Sequence, residues 1–312
     1  MSRPKIAFLG AGNVGATCAQ YCIEEGLGDC VLVDVVEGLA AGKALDLLEA
    51  TPLFGSAVDV TGATDFAAIA GADVVVITAG IARKPGMSRA DLLKTNADIV
   101  GKCCEAVKRH APKSTVVMVT NPLDVMCCVA LKVTGFSPAR VVGMAGVLDS
   151  ARFAAFIAQE LRVSVRGVHA MVLGGHGDTM VPLPRFTSVN GVPLPELMNE
   201  ATIRKLSDRT RNAGAEIVGL LKSGSAYYSP GRAAAQMVAA ILGDTKELLP
   251  CSAWLSGQYG EEGIYLGVPV VLGAGGVERI VELELRDDEK ALLRKSVEEV
   301  RSTLESMEGA VL

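Results

Sequence analysis

Lys5-Ile-Ala-Phe-Leu9 runs without interruption into Gly10-Ala-Gly12-Asn-Val-Gly15, and reading these eleven residues together decides the fold. Five apolar-rich residues ahead of a glycine turn read as a short buried strand. The stretch after the glycines has a helical period, with Val14, Cys18, Ala19, Cys22 and Ile23 on one face. Val31-Leu32-Val33 then forms a second apolar run that ends in Asp34. Strand, glycine turn, helix and strand make a βαβ unit whose glycines let the backbone approach a pyrophosphate at a helix N-terminus. Asp34, about 20 residues past the turn, is placed to accept hydrogen bonds from the adenosine ribose. Its charge would repel a 2′-phosphate, so the unit predicts NAD rather than NADP. A glycine turn alone would carry little weight, because such turns follow many strands.

Outward from this unit, apolar runs alternate with helical stretches. Strands are predicted at 5–9, 31–34, 57–60, 73–79, 115–120 and 140–144. The fold class is therefore α/β: a Rossmann-type, doubly wound parallel sheet followed by a smaller α+β substrate domain, divided as 1–146 and 147–312. Ligands of such sheets bind at the carboxyl ends of the strands. Thr78-Ala-Gly80 and Thr120-Asn121-Pro122 lie at two of those ends, although ordinary turn chemistry accounts for them as well. After residue 150 the alternation stops. Helix is predicted at 151–161, strand at 165–173, helices at about 199–222 and 231–243, a hairpin from 264–272 and 277–285, and an amphipathic helix at 288–307.

Composition narrows the function classes. Half of the 312 residues are hydrophobic, enough for a large core. No apolar run approaches the ~18 residues of a membrane span. The net charge of −5 comes without a basic block, which argues against nucleic acid. The first strand begins by about residue 5, which leaves no room for a signal peptide in the sequence as given. The eight cysteines form no C-x-x-C pair and no metal-site spacing, so no metal is expected; buried thiols in a reducing cytoplasm are.

Three groups of residues have the types needed for chemistry. His176 sits in Gly174-Gly175-His176-Gly177-Asp178, where glycines help a backbone hold a side chain at an exposed edge. An imidazole exchanges a proton near neutral pH, though lone histidines are more often structural. Asp149 and Arg152 share a helix face three residues apart. They form either an ordinary ion pair, or a histidine-orienting carboxylate beside a carboxylate clamp. Arg83, Lys84, Arg89 and Lys94 crowd a segment with a Pro85-Gly86 turn, either a solvated charged loop or a lid over an anionic substrate.

In combination these blocks resemble the lactate/malate dehydrogenase family along essentially the whole chain. The matching stretches are Gly10–Gly15, Asp34, Thr78–Gly80, Arg83–Arg89, Asn96, Val119–Pro122, Leu148–Arg152 and Gly174–Asp178. Met144-Ala-Gly-Val-Leu-Asp149 and Lys84-Pro-Gly-Met87 resemble the lactate-dehydrogenase-like branch of malate dehydrogenases. The resemblance implies reversible, NAD-dependent oxidation of (S)-malate to oxaloacetate, a step of the tricarboxylic acid cycle. It implies His176 as proton acceptor, oriented by Asp149, with Arg152 on the C1 carboxylate, Arg89 polarising the carbonyl and Asn121 bonded to the substrate oxygen. Gly10, Ala11, Gly12, Asn13, Val14, Gly15, Asp34, Asn96, Val119, Thr120 and Asn121 would contact NAD. Arg83 would pair with the second carboxylate of a dicarboxylic substrate, where lactate dehydrogenases carry glutamine. Ala226, near a threonine position of the lactate enzymes, is compatible with this. The chain lacks an N-terminal arm before its first strand, as in the short form of the family. The family also implies a homo-oligomer, a tetramer before a dimer. A lactate or other 2-hydroxyacid dehydrogenase is the nearest rival. A silent NAD-binding protein would have no use for the His176, Asp149, Arg152 and Arg89 set, and an NAD-using glycosidase would need a metal ligand set.

Overall fold

The computed structural model of the chain describes residues 3–81 and 89–311. Arg83, Lys84 and the Pro85-Gly86 turn lie outside the described residues, as does the side chain of Arg89.

The first half is built from β1 (Lys5–Leu9), α1 (Asn13–Glu24), β2 (Asp29–Val33), α2 (Leu39–Phe54), β3 (Val60–Ala63), β4 (Val74–Ile77), α3 (Arg89–His110), β5 (Thr115–Met118), α4 (Leu123–Thr134) and β6 (Val141–Gly143). The six strands pair in parallel in the order β3-β2-β1-β4-β5-β6. Winding reverses between β1 and β4, which opens a crevice at their carboxyl ends. Successive side chains of a strand point to opposite faces. Ile6, Phe8, Leu32, Val74 and Val76 therefore enter a core shared with α1, while Ala7, Leu9, Val33, Val75 and Ile77 enter one shared with α3 and α4. Burial on both faces explains why these strands read as unbroken apolar runs.

The second half comprises α5 (Gly146–Leu161), the two-residue strands β7 (Val168–His169), β8 (Val172–Leu173), β9 (Val181–Pro182), β10 (Ser188–Val189) and β11 (Val192–Pro193), then α6 (Leu194–Leu197), α7 (Glu200–Leu221), α8 (Tyr228–Leu242), β12 (Glu247–Ser256), β13 (Glu262–Gly273), β14 (Gly276–Ile280) and α9 (Asp287–Val311). Its long strands do not form a sheet of their own. β12, β13 and β14 extend the parallel sheet by three antiparallel strands, joined where Ser252 pairs with Gly143 of β6. One nine-stranded sheet thus crosses the boundary placed at 146/147, and the part after that boundary is the longer of the two rather than the smaller.

Several element boundaries differ from the sequence reading. β12 was not anticipated, because Pro250 lies in its middle and proline argues against a strand. The structure tolerates it by setting Pro250 opposite Pro269, so the two missing N–H groups fall on one rung. The third strand is 60–63 rather than 57–60. Gly62 within it lets α2 approach: a Cβ there would lie 2.2 Å from the Ala40 carbonyl oxygen. The span 165–173 is not one strand. Ser164 accepts a hydrogen bond from the Arg166 N–H, which starts a 3₁₀ turn and leaves β7 and β8 as separate pieces. The hairpin's second strand ends at Ile280, short of 285.

Candidate active site

The glycine turn divides its tasks among three residues. Gly10 has φ +104°, and a Cβ there would meet the Ala79 backbone nitrogen at 2.6 Å. Gly15 packs so closely that a Cβ would lie 2.0 Å from the Gly10 carbonyl oxygen. Gly12 is different: nothing lies within 4 Å of its missing Cβ, which leaves open space over the N-terminus of α1. That vacant approach, with the first amides of Asn13 and Val14 behind it, suits a pyrophosphate. Thr78 Oγ1 donates to the Gly10 carbonyl at 2.9 Å and fixes the turn against the end of β4.

Asp34 ends β2 where the sequence placed it. Its Oδ2 accepts from the Ala11 N–H at 2.8 Å and its Oδ1 from the Val36 N–H at 3.0 Å. These bonds lock the carboxylate at the rim of a cavity of about 510 Å³ lined by Gly12, Val36, Leu39, Phe66 and Ile99. Val35 and Val36 are exposed at 78% and 56% and form an apolar wall. An apolar slot that ends in a carboxylate has the chemistry an adenosine would need. Cys103 also lines this cavity, but burial and then the nearby Asp34 charge push its thiol up to about 12, so it stays protonated.

Asn96 joins two of the loops at the strand ends. Only 2% exposed, its side chain is engaged with protein: Oδ1 accepts from the Ile81 N–H at 2.8 Å, while Nδ2 donates to the Asn121 carbonyl at 2.8 Å and the Ile81 carbonyl at 3.3 Å. Asn96 ties the loop after β4 to the loop after β5. Val119 and Thr120 are buried in the second loop, where Thr120 Oγ1 donates to the Ala79 carbonyl at 2.7 Å, and Asn121 is exposed beside them.

The histidine site is assembled from four elements. Gly174 makes an antiparallel bridge to Gly267 of β13, with N–H···O distances of 2.9 and 3.1 Å. The Gly175 N–H donates to Ser296 Oγ of α9 at 2.7 Å. The His176 N–H donates to Asp124 Oδ2 of α4 at 2.9 Å. His176 Nδ1 lies 2.8 Å from Asp149 Oδ2, in the first turn of α5. An ionised carboxylate only accepts, so Nδ1 carries the proton and Nε2 is the open position of the neutral ring. The helix also brings Arg152 Nη1 to 3.4 Å from Asp149 Oδ1, so one carboxylate, 2% exposed, holds both the imidazole and the guanidinium. Sequence reading found His176, Asp149 and Arg152 but missed Asp124 and Ser296, which lie 52 and 121 positions from their partners.

Electrostatics poise the site. Burial pushes the His176 imidazole down, but the charge and hydrogen bond of Asp149, with help from Asp124, outweigh it and hold the ring above its ordinary value. Burial also lowers Arg152, with Asp149 opposing. Arg152 Nε is buried with no hydrogen-bond partner among the described residues. A guanidinium held by a carboxylate next to a histidine has the charge an anionic substrate needs.

The geometry and the sequence blocks now meet comparison with known proteins. The family model of the lactate/malate dehydrogenase NAD-binding domain matches residues 4–143, and that of the lactate/malate dehydrogenase α/β C-terminal domain matches residues 146–311. This chain belongs to the lactate/malate dehydrogenase family. It is an NAD-dependent oxidoreductase, and the open approach at Gly12 with the Asp34 rim fits that cofactor. It is 54% identical to a malate dehydrogenase of Methanosarcina mazei, over 97% of this chain and 99% of the relative. It is 52% identical to one of Rhodopirellula baltica, over 99% of each. Among solved structures, apo malate dehydrogenase of Picrophilus torridus superposes with a TM-score of 0.96 at 44% identity, covering 99% of this chain and 98% of that one. A lactate dehydrogenase of Cryptosporidium parvum, complexed with lactic acid and NAD, gives the same TM-score and identity over 99% of each chain. The backbone therefore does not separate the two activities within the family.

Proposed function

We propose that this family member interconverts (S)-malate and oxaloacetate, with His176 as the proton carrier. The observation behind this reading is the Arg152–Asp149–His176 arrangement, in which one buried carboxylate holds a guanidinium and an imidazole side by side. Bound NAD supplies the hydride acceptor for malate oxidation. The chain's own residues handle the proton and the charges. Asp149 fixes the ring with Nδ1–H toward itself, leaving Nε2 to take the C2 hydroxyl proton. The resulting imidazolium is stabilised by the same carboxylate. Arg152 grips the C1 carboxylate with paired hydrogen bonds. Asn121, exposed at the end of the β5 loop, bonds the substrate oxygen.

Arg83 and Arg89 complete the proposal from the sequence resemblance: Arg89 stabilises charge on the C2 oxygen, and Arg83 pairs with the second carboxylate. That carboxylate is costly to bury alone, which favours malate over lactate. The curated relatives, named malate dehydrogenases, support this choice. The two-domain division at 146/147, a cytoplasmic location, a place in the tricarboxylic acid cycle and a homotetramer belong to the same reading. Exposed Leu45, Leu48 and Leu53 on α2, with Leu220 and Leu221 at the end of α7, support self-association.

The test removes the clamp. Arg152→Gln loses a charge-assisted pair of about 1.5–3 kcal/mol. At tenfold per 1.36 kcal/mol, kcat/KM for oxaloacetate should fall about 10- to 100-fold. NADH affinity should hold. A variant with unchanged kcat/KM would remove Arg152 from substrate binding.

A further inference from the structure

The His176 main chain rests on a carboxylate that the proton relay does not use. Asp124 lies in the first turn of α4, three residues past Asn121, and is 5% exposed. One oxygen accepts the His176 N–H at 2.9 Å and the other accepts the Ser252 hydroxyl at 2.6 Å. Ser252, itself 0% exposed, stands on β12 at the single residue pair where the antiparallel extension meets β6. Its partner Gly143 makes room for this: a Cβ there would lie 2.7 Å from Ser252 Cβ and 2.8 Å from Cys127 Sγ. A carboxylate buried this deeply needs a reason, because burial disfavours its charge. Burial does push Asp124 up, while the Ser252 and His176 hydrogen bonds pull it back.

We propose that Asp124 is a positioning residue for the reaction: gripped by Ser252, its carboxylate fixes the His176 main chain and sets a second negative charge beside the imidazole. This rests on His176 being the proton carrier. The two carboxylates differ in task. Asp149 bonds the ring and selects the tautomer, whereas Asp124 holds the backbone and acts on the ring only through its field. The charged groups facing His176 among the described residues are Asp149 and Arg152 from α5, Asp124 from α4, and Glu299 of α9, which lines a small cavity of about 90 Å³ with His176 and Asp124. Asp124 is the one of these that also touches the sheet. It therefore links the loop after β5, which carries Asn121, to the loop that carries His176.

The experiment compares Asp124→Asn, Ser252→Ala and His176→Asn in the full-length enzyme. The chain has three histidines, so the His176 ring signal can be assigned by its loss in His176→Asn and titrated by NMR without substrate. Asp124→Asn should lower the His176 titration midpoint by about half to one pH unit, the scale of one nearby charge. Oxaloacetate reduction above that midpoint should then fall about three- to tenfold, because less imidazolium is present. Ser252→Ala keeps the charge and loosens the grip, so kcat should fall severalfold with KM, NADH affinity and the midpoint little changed. An Asp124→Asn protein with a wild-type midpoint and kcat would overturn the proposal. If Asp124→Asn does not fold, Ser252→Ala decides: an unchanged kcat overturns it. Should His176→Asn retain activity, the proton-carrier reading fails first, whatever the Asp124 results.

Discussion

The cofactor cleft and the histidine site sit in one molecule but are built on different scales. The glycine turn and Asp34 lie within 25 residues of one another, and the bond that ties them, Ala11 to Asp34, spans 23 positions; the turn's hydrogen bond from Thr78, 68 positions from Gly10, is its long-range anchor. The histidine loop takes its supports from 27, 52 and 121 positions away, and from β13 as well. A locally encoded site should tolerate change elsewhere in the fold. A site suspended between helices and a sheet should respond to changes in any support. On the proposed function, cofactor binding belongs to the first region and proton transfer to the second.

The largest effect should come from removing the proton carrier. His176→Asn should cost about 10²- to 10⁴-fold in kcat while NADH binding, read by fluorescence titration, stays near wild type. Loss of both together would collapse the distinction between the regions. Asp149→Asn comes next, with a signature in pH. The counter-charge that lifts the imidazole is gone while burial still pushes it down. The imidazolium needed for oxaloacetate reduction then survives only to lower pH, so that limb of the kcat/KM profile should move to the acid side. A shift toward alkaline pH would contradict the role given to Asp149. The smallest effect lies in the cleft. Asp34→Ser should narrow the preference for NADH over NADPH by about tenfold, the worth of roughly one charge-assisted contact. It should leave the pH profile in place. A displaced profile would mean that the two regions are coupled.

How much was legible follows the same division. The βαβ unit announces itself because glycine spacing, helical period and Asp34 all act within one continuous stretch. Five of the six parallel strands were readable from apolar runs that both faces bury, whereas the edge strand β3, only partly buried, was read three residues too early. β12 was hidden by Pro250, whose missing donor is tolerated only because Pro269 stands opposite, and a sequence does not show which residues will face one another. Asp149 and Arg152 were legible as a helical pair, and His176 from its glycine frame. The resemblance to a known family joined them; spacing alone did not. Asp124 and Ser252 gave no local signal, since an aspartate near a helix start reads as a cap and a serine in an apolar strand reads as nothing in particular. Asn96 also braces two loops through its amide, a task visible only once Ile81 and Asn121 are neighbours.

The central claim is that this histidine site serves a dicarboxylate, and Arg83 carries that choice. The most direct measurement is kcat/KM with NADH for oxaloacetate and for pyruvate, in the wild type and in Arg83→Gln. The account predicts a wild type that strongly prefers oxaloacetate, and a variant whose preference shifts toward pyruvate by at least about 100-fold, since each 1.36 kcal/mol is tenfold. A wild type that already prefers pyruvate would contradict it and move the activity to lactate.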